Sequence, residues 1–188
     1  MSTATPPAPL PTVLTAAEFA RRYGGQYVEL VDGVVTEMPV PFQEHGEVCF
    51  KAAFILGTHV ITNDLGHLTT NDSFVQTTSD PDRVRGADVC YFSYDRLPKG
   101  PMPKGLFAIA PDLVIEVRSP SDGWNEVFIK VGECLSAGVR VVVVLDMTTL
   151  SASVYRTDEF QQIFDNGDEL TIPDVLPGFA VAVRKFFE

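Results

Sequence analysis

Apolar positions along this chain follow two periods, and each switch between them marks an element. From Glu44 to about Asn63 the residues Val48, Cys49, Ala52, Ile55, Leu56 and Val60 recur at helical spacing, which predicts a long helix stopped near Asp64-Leu65-Gly66. A second helix is predicted over Asn125–Ala137, with Val127, Phe128, Val131, Cys134 and Leu135 on one face and Gly138 as its stop. The intervening runs His67–Thr77, Arg85–Tyr94 and 112–118 read as strands, the first two joined by Ser79-Asp80-Pro81-Asp82. Val139–Asp146 is a continuous Val-rich run, the mark of a central strand covered on both faces.

Local punctuation fills in the remainder. Thr15-Ala-Ala-Glu18 is a capping-box pattern and opens a short helix ending near Tyr23-Gly24-Gly25. Tyr27–Val31 and Val34–Met38 flank Asp32-Gly33, a strong hairpin signal. Residues 95–110 carry prolines and glycines and read as a loop. Ser151–Arg156 and 160–164 are further strands, and Pro173–Glu188 closes the chain with a short terminal helix. Residues 1–12 are small, Pro-rich and uncharged, and read as a flexible tail. The order predicts one α/β (α+β) domain over 13–188. Its mixed β-sheet is flanked by helices in α-β-β-β-α-β order, with an N-terminal helix plus hairpin and a C-terminal β extension.

Composition narrows the function. The 188 residues carry a net charge of −11, so the surface as a whole repels nucleic acid, while the carboxylate excess suits hard divalent cations. Cys49, Cys90 and Cys134 are odd in number, far apart and in apolar surroundings, which points to reduced thiols and a cytoplasmic setting. No stretch reaches the roughly 18 apolar residues of a membrane span, and no signal-peptide pattern opens the chain. The P-loop, dinucleotide-fold, zinc-type cysteine and nucleophile-elbow patterns are not found.

Two acids interrupt the apolar strands. Glu116 lies in Leu113–Arg118, where alternation puts Asp112, Val114, Glu116 and Arg118 on one face and Leu113, Ile115 and Val117 on the other. Asp88 interrupts Ala87–Phe92. An ionised carboxylate in a core strand is costly unless paired, and two in neighbouring strands repel; a divalent cation would answer both problems. Lys130 falls at the edge of the second helix's apolar face, able to carry its ammonium to a buried acid, while Glu133 falls well away from that face. The alternatives are an Asp88 that caps a strand end, a Glu116–Arg118 structural ion pair and a solvated Lys130.

These pieces, in this order, resemble the Uma-two family of restriction-endonuclease-like proteins within the PD-(D/E)XK nuclease superfamily. The resemblance runs from about Leu14 to the C-terminus. It is carried by Leu14–Phe19, Tyr27–Gly33, His45, Ala87-Asp-Val89, Pro111–Val117 with Ser119-Pro120-Ser121, Lys130, Ala137-Gly-Val139 and Leu176-Pro-Gly-Phe179. It implies that Asp88 and Glu116 bind Mg²⁺ or Mn²⁺, that Lys130 supplies the motif lysine from a helix, and that Glu29 and His45 line the same cleft. The chain departs from the pattern at Ala87, where the motif has proline, and at Arg118, which occupies the usual lysine slot. Arginine stays protonated and cannot serve as a base, so Arg118 either meets phosphate or sits in an ion pair.

The resulting expectation is a metal-dependent endonuclease hydrolysing DNA, binding it weakly and salt-sensitively, with a catalytically inactive binding or assembly module as the alternative. A homodimer would place two sites on one duplex, although the sequence shows no interface.

Overall fold

The computed structural model describes residues 13–188; the Pro-rich stretch 1–12 lies outside them. The first helix, α1 (Ala16–Tyr23), starts as its capping box requires. The Thr15 hydroxyl accepts from the Glu18 N–H, and the Glu18 carboxylate accepts from the Thr15 N–H at 3.2 Å. The hairpin β1 (Val28–Val31) and β2 (Val34–Glu37) turns through Asp32 and Gly33 at φ 52° and 74°, the paired left-handed geometry of a two-residue hairpin. Phe19 of α1 is fully buried against this hairpin with Leu14, Leu30 and Val84.

The core follows as α2 (Gln43–Thr62), β3 (Gly66–Ser79), β4 (Asp82–Ser93), β5 (Leu113–Arg118), α3 (Trp124–Ser136) and β6 (Val141–Asp146), the expected α-β-β-β-α-β order. Then come β7 (Ser151–Tyr155) and β8 (Gln162–Phe164). Strands β9 (Glu169–Thr171) and β10 (Ala180–Ala182) pair in a small second sheet, followed by a 3₁₀ turn over Val183–Phe186. The main sheet runs β2-β1-β4-β5-β6-β7-β8, with β3 on the remaining edge of β4. Only β5–β6 is parallel, because α3 crosses between them.

The two faces are covered differently. Helix α2 and the C-terminal segment pack on Leu113, Ile115, Val117, Val141, Val143 and Leu145. Helix α3 packs on Val114, Val142 and Val144. Period-two alternation in β5 thus holds as expected, and Glu116 shares its face with Val114, under α3.

Because β3 runs along one whole edge of β4, the opposite edge is shared. There β1 pairs only at Val84 through Leu30, and β5 pairs only at Val89–Tyr91. Between these contacts, residues 85–88 face a fork in the sheet.

Several expectations shift. The β3–β4 strands extend until only Asp80-Pro81 separates them. Val139 and Arg140 lie before β6 rather than in it; their N–H groups bond to Cys134 and Asp112. Phe128 is 48% exposed, stacking on Trp124 at the rim of α3 instead of entering the core. Glu133, which helical phase sets away from the apolar face, is buried all the same, because two arginines of β4 reach beneath α3 to meet it.

Candidate active site

Glu116 and Lys130 meet as the faces of β5 and α3 dictate. The Lys130 ammonium donates to Glu116 Oε2 at 2.7 Å and stands 3.8 Å from Glu29 Oε1. The other oxygen of Glu116, Oε1, is sealed from solvent and has no hydrogen-bond partner among the described residues. Burial pushes the Glu116 carboxyl up to about 8, against the opposing pull of Lys130 and helped by the Asp88 charge. Burial also pulls on the Lys130 ammonium, but the carboxylates of Glu116, Glu29 and Asp88 outweigh it and hold Lys130 protonated well above the usual lysine range.

At the fork, side-chain carboxylates replace missing strand partners. Asp88 Oδ2 accepts the Val117 N–H at 2.7 Å, and Glu29 Oε1 accepts the Gly86 N–H at 3.0 Å. Asp88 therefore lies beside the residue that follows Glu116, as a shared site needs. His45, in the first turn of α2, approaches from the opposite face. Its Nε2 lies 2.9 Å from the Val117 carbonyl, so this nitrogen donates, and it stands 3.7 Å from Asp88 Oδ2. That tautomer leaves Nδ1 to accept from the Cys49 thiol one turn on, at 3.4 Å. The ligand atoms of His45, Cys49 and Asp88 all lie within 4.8 Å of one another. Burial, reinforced by Asp88, raises the Cys49 thiol far above its usual range, so it stays protonated.

Arg118 does not join this group. Its guanidinium donates to Asp146 Oδ1 at 3.0 Å and lies over the Trp124 ring at 4.8 Å. The Glu116–Arg118 ion pair weighed from the sequence is not formed; Arg118 sits in an ion pair with Asp146, because β6 supplies it with its own acid. Burial raises Asp146, but the Thr148 N–H and Arg118 more than offset it and hold that carboxyl low.

Three groups around the site escape sequence reasoning. Arg85 donates to Glu29 Oε2 at 2.8 Å and to Glu133, which also takes Arg83 at 2.7 Å. This chain of charges ties β1 to α3 around the fork and anchors Glu29. Its sequence signal was Arg83-x-Arg85, two cations on one face of a strand. The third group is Asp72 on β3, where burial and then the Asp88 charge raise the carboxyl, while Lys130 and His45 lower it. Its signal was Asn71-Asp72, residues tolerant of left-handed backbone inside an apparent strand.

The profile of a family described as "Putative restriction endonuclease", Uma2, matches residues 16–184. The chain belongs to the Uma2 family. No curated protein matches it. Among solved structures it is similar to one described as a putative nuclease belonging to DUF820 from Anabaena variabilis. The two superpose with a TM-score of 0.80 at 20% identity, over 93% of this chain and 97% of the other. At that identity the likeness establishes the shared fold. The Uma2 resemblance read from Asp88, Glu116 and Lys130 thus stands at the level of family and fold.

The donor set fits a divalent cation. Asp88 and Glu116 each anchor one oxygen on a protein donor, and Glu116 Oε1 is a buried oxygen without a protein donor, which holds a proton in the metal-free chain and is free to take a cation in its place.

Proposed function

We propose that this Uma2 protein is a Mg²⁺- or Mn²⁺-dependent endonuclease that hydrolyses DNA phosphodiester bonds. The observation that carries the reading is the sealed, unpartnered Glu116 Oε1, whose sister oxygen takes the Lys130 ammonium and whose neighbour Val117 donates its N–H to Asp88. Asp88 and Glu116 would hold the metal, which when bound activates water and polarises a phosphate. Lys130, kept protonated by its acidic neighbours, stabilises developing negative charge at the phosphate and cannot itself act as base. Glu29 holds Lys130 from the other side, and His45 fixes the Val117 carbonyl between the two acids.

With a net charge of −11, affinity for DNA is weak and falls steeply with salt. The same reading places the protein in the cytoplasm, where its three free cysteines stay reduced. No described helix is long and apolar enough to cross a membrane. It also extends to a homodimer that sets two sites on the two strands of a duplex. The exposed Phe50–Phe54 stack on α2 is available for that contact, and sedimentation equilibrium reads the mass.

The deciding experiment is cleavage of plasmid DNA with Mg²⁺ or Mn²⁺. Wild-type protein nicks or linearises it; Asp88→Ala and Glu116→Ala do not, while retaining a cooperative melt. A wild-type protein inert toward DNA and RNA with either metal overturns the reading. The second reading, an inactive binding or assembly module, is favoured by one observation: Arg118, standing in the usual lysine slot, is committed to Asp146. Absence of Mn²⁺ binding dependent on Asp88 and Glu116 in calorimetry supports it.

A further inference from the structure

We infer that His45, Cys49 and Asp88 form a binding site for Zn²⁺ or a cation of similar softness, distinct in its donors from the carboxylate pair above and sharing only Asp88 with it. The spacing comes from α2. His45 and Cys49 stand one helical turn apart, so their side chains fall on the same side of the helix. Val48, Ala52, Leu56 and Val60 fasten that helix to the sheet, with Cys49 at the edge of the same core. One ring nitrogen of His45, the Cys49 sulfur and one Asp88 oxygen all lie within 4.8 Å of one another. Among the described residues no other three histidine, cysteine or carboxylate side chains come together so closely.

The Val117 backbone holds two of the three ligands in place. Its N–H donates to Asp88 Oδ2 at 2.7 Å, and its carbonyl accepts from His45 Nε2 at 2.9 Å. A histidine that donates one ring N–H to a backbone carbonyl has its tautomer fixed, and the lone pair of its other nitrogen is left for a metal. Here that nitrogen is Nδ1, and it faces Cys49 Sγ at 3.4 Å. A four-coordinate Zn²⁺ with bonds of about 2.0–2.3 Å keeps its ligands roughly 3.5 Å apart, so the Nδ1–Sγ pair already stands at ligand spacing. In the metal-free chain the thiol proton fills that gap. An entering cation replaces it: the Sγ–H bond breaks, a Sγ–metal bond forms, and the proton leaves to solvent.

The donor types select the cation. Nitrogen, sulfur and carboxylate oxygen together suit a borderline-soft ion, whereas Mg²⁺ is held through oxygen. Glu116 keeps its Lys130 partner and lies outside the cluster. His45 and Cys49 are only partly buried, which gives the ion a way in and leaves a fourth position for water.

The test is a titration of full-length, reduced, metal-free protein with Zn²⁺ by calorimetry and with Co²⁺ by absorbance. A thiolate bound to Co²⁺ gives a sulfur-to-metal charge-transfer band that oxygen and nitrogen ligands do not. Wild-type protein is expected to bind Zn²⁺ and to show the band. Cys49→Ser should erase the band and weaken Zn²⁺ binding by at least roughly a hundred-fold, since losing a direct ligand costs more than losing the partner behind one. Cys49→Ala, which brings no hydroxyl, should do the same, and His45→Gln should weaken Zn²⁺ alike; a cooperative metal-free melt in each variant assigns the loss to the ligand and not to the fold. Wild-type protein without the band overturns the inference, as does a band or a wild-type Zn²⁺ affinity that survives both Cys49 variants. Titration of the same proteins with Mn²⁺ keeps the two readings apart. Glu116→Gln should abolish Mn²⁺ binding and leave Zn²⁺ binding in place, and Cys49→Ser should do the reverse. Zn²⁺ binding lost in Glu116→Gln overturns the distinct site, whereas a wild-type protein that takes Zn²⁺ but no Mn²⁺ overturns the nuclease reading alone.

Discussion

At the scale of single residues, the site is a small group of acids sharing too few cations. Glu116 shows the consequence for pH. Its carboxyl is raised by burial from an ordinary 4.5 to about 8, so the folded chain keeps a proton that the unfolded chain releases. Its contribution to stability is present below about pH 4.5 and is lost as pH rises toward 8. Urea unfolding of metal-free protein across that window should show stability falling with pH, and Glu116→Gln should flatten the slope; parallel slopes in the two proteins would refute the assignment. Lys130 carries the opposite test. Removing it as Lys130→Met strands Glu116 and Glu29 together without their shared ammonium. The expected loss is roughly 3 kcal/mol in urea unfolding above the Glu116 titration, the scale of breaking a buried pair, and smaller at neutral pH, where the Glu116 carboxyl keeps its proton. Doubling the change with Glu116→Gln should recover part of that loss, since the Glu116 charge is then gone and Glu29 keeps Arg85.

At the scale of elements, what matters is how each secondary structure is started, stopped or interrupted. The capping box of α1 orients Phe19 into the small core over the hairpin, so Thr15→Ala should cost about 1 kcal/mol, read as a lowered melting temperature with unchanged metal binding. The Arg83–Glu133–Arg85–Glu29 chain works differently, since it fastens α3 and β1 to β4 across the fork. Burial pushes Glu133 up, yet the two arginines overcome this and hold it low, so both of its oxygens are committed. Glu133→Gln should therefore lower stability and also loosen Lys130, which sits one turn earlier on α3. The second effect is checked by a weaker dependence of Mn²⁺ affinity on Lys130 in a double-mutant cycle. None of this network was legible from periodicity alone. Helical phase separates Glu133 from the apolar face, and phase cannot say that β4 sends arginines to meet it.

At the scale of the whole molecule, an acidic chain is being asked to meet an acidic polymer. Contacts between DNA phosphates and the 14 basic residues release counterions, so an affinity already weak against 25 acidic residues should fall between low and physiological salt, and Mg²⁺ should partly restore it by neutralising the site. Fluorescence anisotropy with a labelled duplex over a salt series checks this, and affinity independent of salt would contradict it. By itself the sequence determined the order of elements, the hairpin and its turn, the capping box, the alternation that hides Leu113, Ile115 and Val117, and the family to which Asp88, Glu116 and Lys130 point. Those are local or periodic properties, written in neighbouring residues. Only the tertiary structure decided that Arg118 turns to Asp146, that Glu29 pairs with Arg85, that Glu133 is buried, and that a bulge sets Asp72 opposite Asp88. Each of these depends on strand order and register across dozens of residues. A carboxylate's partner is chosen by whichever cation the fold brings within hydrogen-bonding distance, and no local pattern encodes that distance.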